Sequence, residues 1–249
     1  LKLVNNIKNA FKSNNLNCEI RRERGRIYLY VKEVSKGLEI LKRIFGITSF
    51  SPVIKTTSKL DDISDIAVKI SKTMIKNENS FALRVTRTGN HNFSSQDVAV
   101  KIGNVIVNAT KAGVDLSNPD FELFIEIRNE NTFFFTEKIR GTGGLPLGTQ
   151  GTILALINTP QSLLAAWYLM RRGCDILFLK TNNQITRSLH SFITSWYVES
   201  DIIECDPKEK DLYKTVNIIA SERSCDAVVT GHTIYDTSQD VLSDIKQLK

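Results

Sequence analysis

Apolar residues never run long enough in this chain to cross a bilayer; no stretch approaches the roughly 20 residues a spanning helix needs. No secretory leader opens it either, because the first residues form an amphipathic, polar stretch. Both scarcities argue against a membrane partner and make the cytoplasm the expected location. Cysteine is sparse and scattered: Cys18, Cys174, Cys205 and Cys225 form no CxxC pair. That spacing suggests neither a zinc site nor a disulfide framework, and it fits a reducing compartment. Acidic residues run short in one region. Residues 1–53 carry 11 Lys and Arg against 4 Asp and Glu, whereas residues 141–249 carry 10 against 12. The basic N-terminal part favours a polyanionic partner, the alternative being a solvated cationic face with no partner. The first residue is Leu1 rather than Met, so the chain is expected to start inside a longer gene product.

What is present has a readable order. Leu3, Val4, Ile7, Ala10 and Phe11 recur at helical spacing. A strand around Asn17–Arg21 follows, then a basic turn Arg22–Arg26, then an alternating strand Ile27–Val31. A helix carrying Leu38, Leu41, Ile44 and Phe45 stops at Gly46, and a strand over Thr48–Ile54 closes the series. The order helix–strand–strand–helix–strand is that of a ferredoxin-like module lacking its first strand, which again suggests missing N-terminal residues. The next module opens with a helix over Asp61–Ile75 and a strand over Ser80–Thr86. Ser94 and Asp97 form a capping-box pattern ahead of a helix whose apolar face is Val98, Ile102, Val105, Ile106 and Ala109. Strands over Phe121–Ile127 and Thr132–Ile139 end this module. The segment Gly141–Gly151 holds five of the thirteen glycines and reads as a linker. Beyond it, short apolar strands alternate with helices up to Thr230, the pattern of a doubly wound parallel sheet.

Several strings resemble the 4-thiouridine tRNA synthetase family, also called ThiI for thiamine biosynthesis. Residues 81–98, Phe-Ala-Leu-Arg-Val-Thr-Arg-Thr-Gly-Asn-His-Asn-Phe-Ser-Ser-Gln-Asp-Val, are similar to a THUMP signature. Asn118-Pro119-Asp120, the joint Gly143–Gly151, Met170–Cys174 and Val228–Gly231 extend the likeness in family order. The resemblance implies an α/β chain with α+β N-terminal modules. These are a ferredoxin-like domain (1–54), a THUMP RNA-binding domain (55–140), a Gly-rich linker (141–151) and a truncated PP-loop ATP-pyrophosphatase-like domain (152–249). It also implies a tRNA acceptor end as ligand, and adenylation of a uridine before sulfur arrives from a persulfide carried by a partner protein.

On the RNA side, Arg84, Arg87 and His91 flank a glycine turn and become the expected contacts, since arginine meets phosphate bidentately. Arg22, Arg24, Arg26, Lys138 and Arg140 are further candidates on turns or the linker edge. Phe93 is read either as a stacking aromatic or, preferably, as a hydrophobic staple for the following helix. The ATP side departs from the family. A PP-loop reads Ser-Gly-Gly-x-Asp-Ser, its glycines letting backbone N–H groups reach pyrophosphate. This chain has Asn158-Thr159-Pro160-Gln161-Ser162, one residue shorter, without the glycines or the aspartate, and Pro160 removes a donor. The remnant site comprises Leu156, Ile157, Asn158, Thr159, Ser162, Phe178, Gly231 and Gln239. The family's Lys-Arg pair falls at Glu209-Lys210, its Glu at His232, and the region beyond Gly231 holds Tyr235-Asp236. Cys174 and Cys225 read as packing residues, and His190 and His232 as ordinary ones. The chain ends before the region where many members carry a relay cysteine. The expectation is therefore a tRNA-binding member with no catalytic residue, metal or confident cofactor. The alternative is an active tRNA sulfurtransferase, linked to sulfur transfer for the thiamine thiazole, that uses ATP and Mg through an unorthodox or shared site. A homodimer is left open.

Overall fold

The computed structural model describes residues 2–75, 79–205, 212–233 and 235. These form two compact units, one of residues 1–50 with 140–249 and the other of residues 51–139. No helix among the described residues is long and apolar enough to cross a membrane.

The first unit opens with α1 (Lys2–Ser13), which buries Ile7, Ala10 and Phe11. Strands β1 (Cys18–Glu23) and β2 (Arg26–Val31) pair antiparallel from Cys18↔Val31 to Glu23↔Arg26. The expected basic turn therefore shrinks to Arg24-Gly25, with Arg22 and Arg26 in the strands. Gly25 takes φ +79°, which a tight two-residue turn requires. Helix α2 (Val34–Leu41) is shorter than its apolar spacing suggests. Ile44 and Phe45, past its end, go into different cores: Ile44 joins Phe11 and Ile40, whereas Phe45 joins Met170 and Phe178. The expected strand over Thr48–Ile54 is split into β3 (Ser49–Phe50) and β4 (Ile54–Thr57). Pro52, which has no N–H for a ladder, lies in the gap, and the split falls where the chain passes to the second unit.

The second unit runs on through α3 (Leu60–Met74), β5 (Ser80–Thr88), α4 (Ser95–Thr110), β6 (Gly113–Val114), β7 (Phe121–Arg128) and β8 (Asn131–Phe135). Its sheet has the order β4-β8-β7-β5-β6, with β5 parallel to both β6 and β7. Phe81, Leu123, Ile125, Ile127 and Phe134 meet Ile63, Ala67, Val98, Ile102 and Ile106 of the two helices in one core. The α4 capping box forms as its spacing implies: Asp97 N–H donates to Ser94 Oγ (3.1 Å) and Ser94 N–H to Asp97 Oδ2 (2.7 Å). The bond from the Ser94 N–H, with the Ser94 side chain adding to it, holds the Asp97 carboxyl below its ordinary value. The cap therefore stabilises fully above the ordinary carboxylate range and is lost as pH falls through the lowered value.

The chain returns to the first unit at the two-residue strand β9 (Ile139–Arg140). There follow β10 (Thr152–Ile157), α5 (Pro160–Arg171), β11 (Asp175–Lys180), a 3₁₀ turn (Asn183–Ile185), α6 (Thr186–Ser195), β12 (Ile202–Glu204), α7 (Leu212–Glu222) and β13 (Ala227–Val229). The sheet order is β12-β11-β10-β13 and every pair is parallel, a doubly wound arrangement. Alternate residues serve its two faces: Ile153, Ala155, Ile157, Ile176 and Phe178 pack with α5 and α6, while Leu154, Leu156, Leu177 and Leu179 pack with Val216 of α7.

The glycine-rich segment 141–151 is pinned along its length. Gly143 N–H donates to the Ile47 carbonyl (2.8 Å), Gly46 N–H to the Gly143 carbonyl (2.8 Å) and Gly141 N–H to the Thr48 carbonyl (3.0 Å). Further on, Leu145 N–H reaches Arg171 O and Thr149 N–H reaches Gly173 O, both at 3.0 Å. A Cβ on Gly141 would sit 2.2 Å from the Ile47 carbonyl oxygen, and one on Gly144 2.2 Å from that of Arg171. The glycines serve close backbone approach, so the segment is a strap between residues 42–48 and 171–173 and not a loose joint.

Candidate nucleic-acid and nucleotide sites

Side chains on a strand alternate, and β5 separates two residues that lie close together in its sequence. Arg84 stands in register with Phe124 on the sheet face away from the helices, and Arg87 with Ile127 on the helix face. Arg84 Nε donates to Glu122 Oε1 at 2.7 Å and its Nη2 to the Leu116 carbonyl at 3.0 Å. Arg87 Nη1 donates to the Gly89 carbonyl (2.9 Å) and lies 3.2 Å from His91 Nδ1, while His91 Nε2 lies 2.6 Å from the Asn129 carbonyl. One tautomer, with the proton on Nε2, satisfies both histidine contacts. Arg87 Nε is buried without a partner among the described residues. Phe93 packs into the helical core beside Val98, as a staple does, and stacks on His91 with centroids 5.1 Å apart. The turn is thus braced from within: Arg87 and His91 hold the approach to α4.

The further cations are more open. Arg22, Arg24 and Arg26 are exposed on the β1–β2 hairpin, and Lys138 and Arg140 are exposed as well. Lys138 Nζ lies 4.2 Å from the Phe124 ring centroid, and Phe124 stacks flat on Phe135. Sequence reading passed over Arg21, which is exposed, bonds Glu19 and lies over Tyr30. The alternation of β1 and β2 was the signal that could have found it.

The nucleotide side lies at the carboxyl ends of β10 and β13, where the strand order reverses and doubly wound sheets bind ligands. Pro160 is the first residue of α5 and Thr159 caps it in extended backbone. The Ser162 hydroxyl is turned inward: it donates to the Thr159 carbonyl (2.6 Å) and receives the N–H groups of Asn158 and Thr159, both at 3.3 Å. Gly231 passes close to the same turn, where only a residue without a side chain fits, since a Cβ there would come 2.7 Å from Ser162 N and 2.9 Å from Thr159 Oγ1. Asn182 Nδ2 donates to the Asn158 carbonyl at 3.3 Å. Leu156, Ile157 and Phe178 bury their side chains in the two cores, leaving only backbone at the edge. His232 Nδ1 lies 3.1 Å from Thr230 Oγ1, and His190 is exposed on α6. Gln239, Asp236 and the Glu209-Lys210 pair lie outside the described residues. Burial raises the thiol pKa of Cys174, with Asp226 and Asp175 adding to it, and that of Cys225, with Asp226 adding and Arg223 opposing; both side chains pack against the cores of the parallel sheet. A residue the sequence did not single out is Lys180, 4% exposed, whose ammonium donates to Glu204 Oε1 (2.8 Å) and Thr186 Oγ1 (3.0 Å).

Comparison with known proteins now decides the family. Residues 1–51 match the model of the ThiI ferredoxin-like domain, and residues 57–137 that of the THUMP domain. A Methanobrevibacter smithii protein named a probable tRNA sulfurtransferase is 30% identical over 280 residues, covering 98% of this chain and 72% of the relative. This chain belongs to the tRNA sulfurtransferase family. Among solved structures, a Pyrococcus horikoshii protein is 27% identical with a TM-score of 0.87, covering 99% of this chain and 84% of the other. The crystal structure of a 4-thiouridine synthetase–RNA complex with bound ATP shares the fold at 20% identity and a TM-score of 0.80, over 99% of this chain and 74% of that one. The tRNA sulfurtransferase fold thus extends through β13, and the braced α5 turn sits inside it.

Proposed function

We propose that this chain is a tRNA-binding member of the tRNA sulfurtransferase family that does not itself adenylate RNA. The observation that carries the second half is the first turn of α5. A triphosphate needs free, converging N–H groups and, through its magnesium, a carboxylate. Here the N–H groups of Asn158 and Thr159 already meet Ser162 Oγ, residue 160 has no N–H, and Ser162 N–H donates to the Thr159 carbonyl at 3.2 Å. The residues present do not fit a triphosphate. A calorimetric titration with ATP and Mg should show no binding at millimolar nucleotide, and no pyrophosphate should appear when tRNA is added. Binding with tRNA-dependent pyrophosphate release would establish the other reading, an active sulfurtransferase with an unorthodox or shared site. That reading draws its support from the intact doubly wound fold. A persulfide-bearing or catalytic partner protein would act beside this chain, which holds the RNA.

RNA is held through its phosphate backbone. We assign phosphate contact in the first unit to its basic residues, with Arg22, Arg24, Arg26 and Arg140 exposed among them, and in the second unit to the exposed Lys138 and to Arg84, which already bonds Glu122 and the Leu116 carbonyl. Arg87 and His91 position the turn. Replacing Arg22, Arg24 and Arg26 together by Ala should weaken tRNA binding and reduce its log–log salt slope by about 0.7–0.9 for each phosphate that is no longer neutralised. An unchanged slope would remove the hairpin from the RNA surface.

A further inference from the structure

The β1–β2 hairpin has two unlike faces. Cys18, Ile20, Ile27, Leu29 and Val31 pack inward on Ile7, Phe11 and Ile40. Alternation then places Glu19, Arg21 and Glu23 of β1 with Arg26, Tyr28 and Tyr30 of β2 on the outer face. Register sets Arg21 opposite Tyr28 and Glu19 opposite Tyr30. The Arg21 guanidinium lies 5.4 Å from the Tyr30 ring centroid, and its Nε donates to Glu19 Oε1 at 2.8 Å. Tyr30 is left 41% exposed. The Tyr30 ring lies outside the core that the inner face fills and rests beside the Arg21 side chain.

Its surroundings indicate what it is for. The ion pair to Glu19 holds the guanidinium beside the ring, so an aromatic plane and a planar cation share one surface. Arg22, Arg24 and Arg26 stand exposed at the hairpin end, in a region where basic residues far outnumber acidic ones. Every base has a π-face, so aromatic and guanidinium planes take unpaired bases regardless of sequence, while nearby cations neutralise the phosphates between them. A duplex keeps its base faces stacked internally and offers phosphates, 2′-hydroxyls and groove edges in their place. We infer that the outer face of this hairpin, centred on Tyr30 and Arg21, is a stacking platform for unpaired RNA bases. The inference rests on the reading that this chain binds RNA, and it adds the kind of RNA that this hairpin takes.

The test uses the full chain, a short labelled single-stranded RNA and a blunt RNA duplex of the same composition, followed by fluorescence anisotropy across a salt series. Tyr30→Ala should weaken single-strand binding about tenfold. Tyr30→Leu, which keeps apolar bulk without a π-plane, should do the same, and Tyr30→Phe should restore most of the affinity. Duplex binding and the salt slope should stay as they are, because losing a stacked ring releases no counterions. Unchanged single-strand affinity in Tyr30→Ala and Tyr30→Leu, or an equal loss on duplex, overturns the platform. If those variants bind normally while the triple arginine variant loses affinity and slope, the platform fails and the RNA-binding reading stands. If the unaltered chain binds neither RNA, both fail.

Discussion

Phe45→Ala should lower the stability of the first unit by about 3–5 kcal/mol, the cost of truncating a buried ring to a methyl group. Phe45 is 2% exposed and leaves the end of α2 to enter a core built mainly by β10, β11, α5 and α6. Its ring stacks on Trp196 with centroids 5.2 Å apart and meets Trp167 edge-on at 5.9 Å. Those two indoles are themselves 5.6 Å apart, and in a close-packed interior their large planar rings do not fill such a void by small shifts. In the other direction Tyr197, next to Trp196, packs against the core of residues 7–47. The ferredoxin-like part and the doubly wound part therefore share hydrophobic burial. A urea titration of the variant should show a lower midpoint with an unchanged slope. A loss below about 1 kcal/mol, the usual size of a surface effect, would mean that the shared core carries little of the stability.

Gly141→Ala should cost about 3 kcal/mol, at the upper end for forcing atoms into a packed site. The new methyl carbon would lie 2.2 Å from the Ile47 carbonyl oxygen, a main-chain atom that cannot swing aside as a side chain does. Relieving the clash pulls apart the hydrogen bonds Gly141 N to Thr48 O (3.0 Å) and Gly143 N to Ile47 O (2.8 Å). Gly25→Ala provides the contrast. No atom lies within 4 Å of its added carbon, but its φ of +79° disfavours an L side chain, so about 1 kcal/mol is expected. Thermal unfolding of both variants tests the distinction. If Gly141→Ala melts no lower than Gly25→Ala, the strap yields easily and acts as an ordinary linker.

Both effects concern contacts that no local pattern in the chain announces. Gly141–Gly151 reads as a joint because glycine usually marks freedom; only the carbonyls of Ile47 and Arg171 reveal that it marks closeness. Ile44 and Phe45 read as one helical stripe, yet the helix ends at Leu41 and the two side chains separate. Arg84 and Arg87 read as one cluster three residues apart, but a strand places odd and even positions on opposite faces. The groups that occupy Arg84, Glu122 and the Leu116 carbonyl, lie 38 and 32 residues further along the chain.

Other features were legible because they are local. The period of apolar residues gave the helices and strands of the doubly wound part, since a buried parallel strand must be apolar on both faces. The Ser94–Asp97 box and the turn at Gly25 follow from backbone groups within four residues of each other. That Asn158–Ser162 contains no glycine or aspartate, and that Pro160 has no N–H, are covalent facts of the sequence. What tertiary structure alone decided is where the remaining N–H groups go and which cations stay open to water. Ser162 turns its hydroxyl inward onto the Thr159 carbonyl, while Tyr30 and the hairpin arginines are exposed. The reason is physical: backbone donors and charged groups take whichever partner folding brings near, and that partner is rarely a neighbour in the chain.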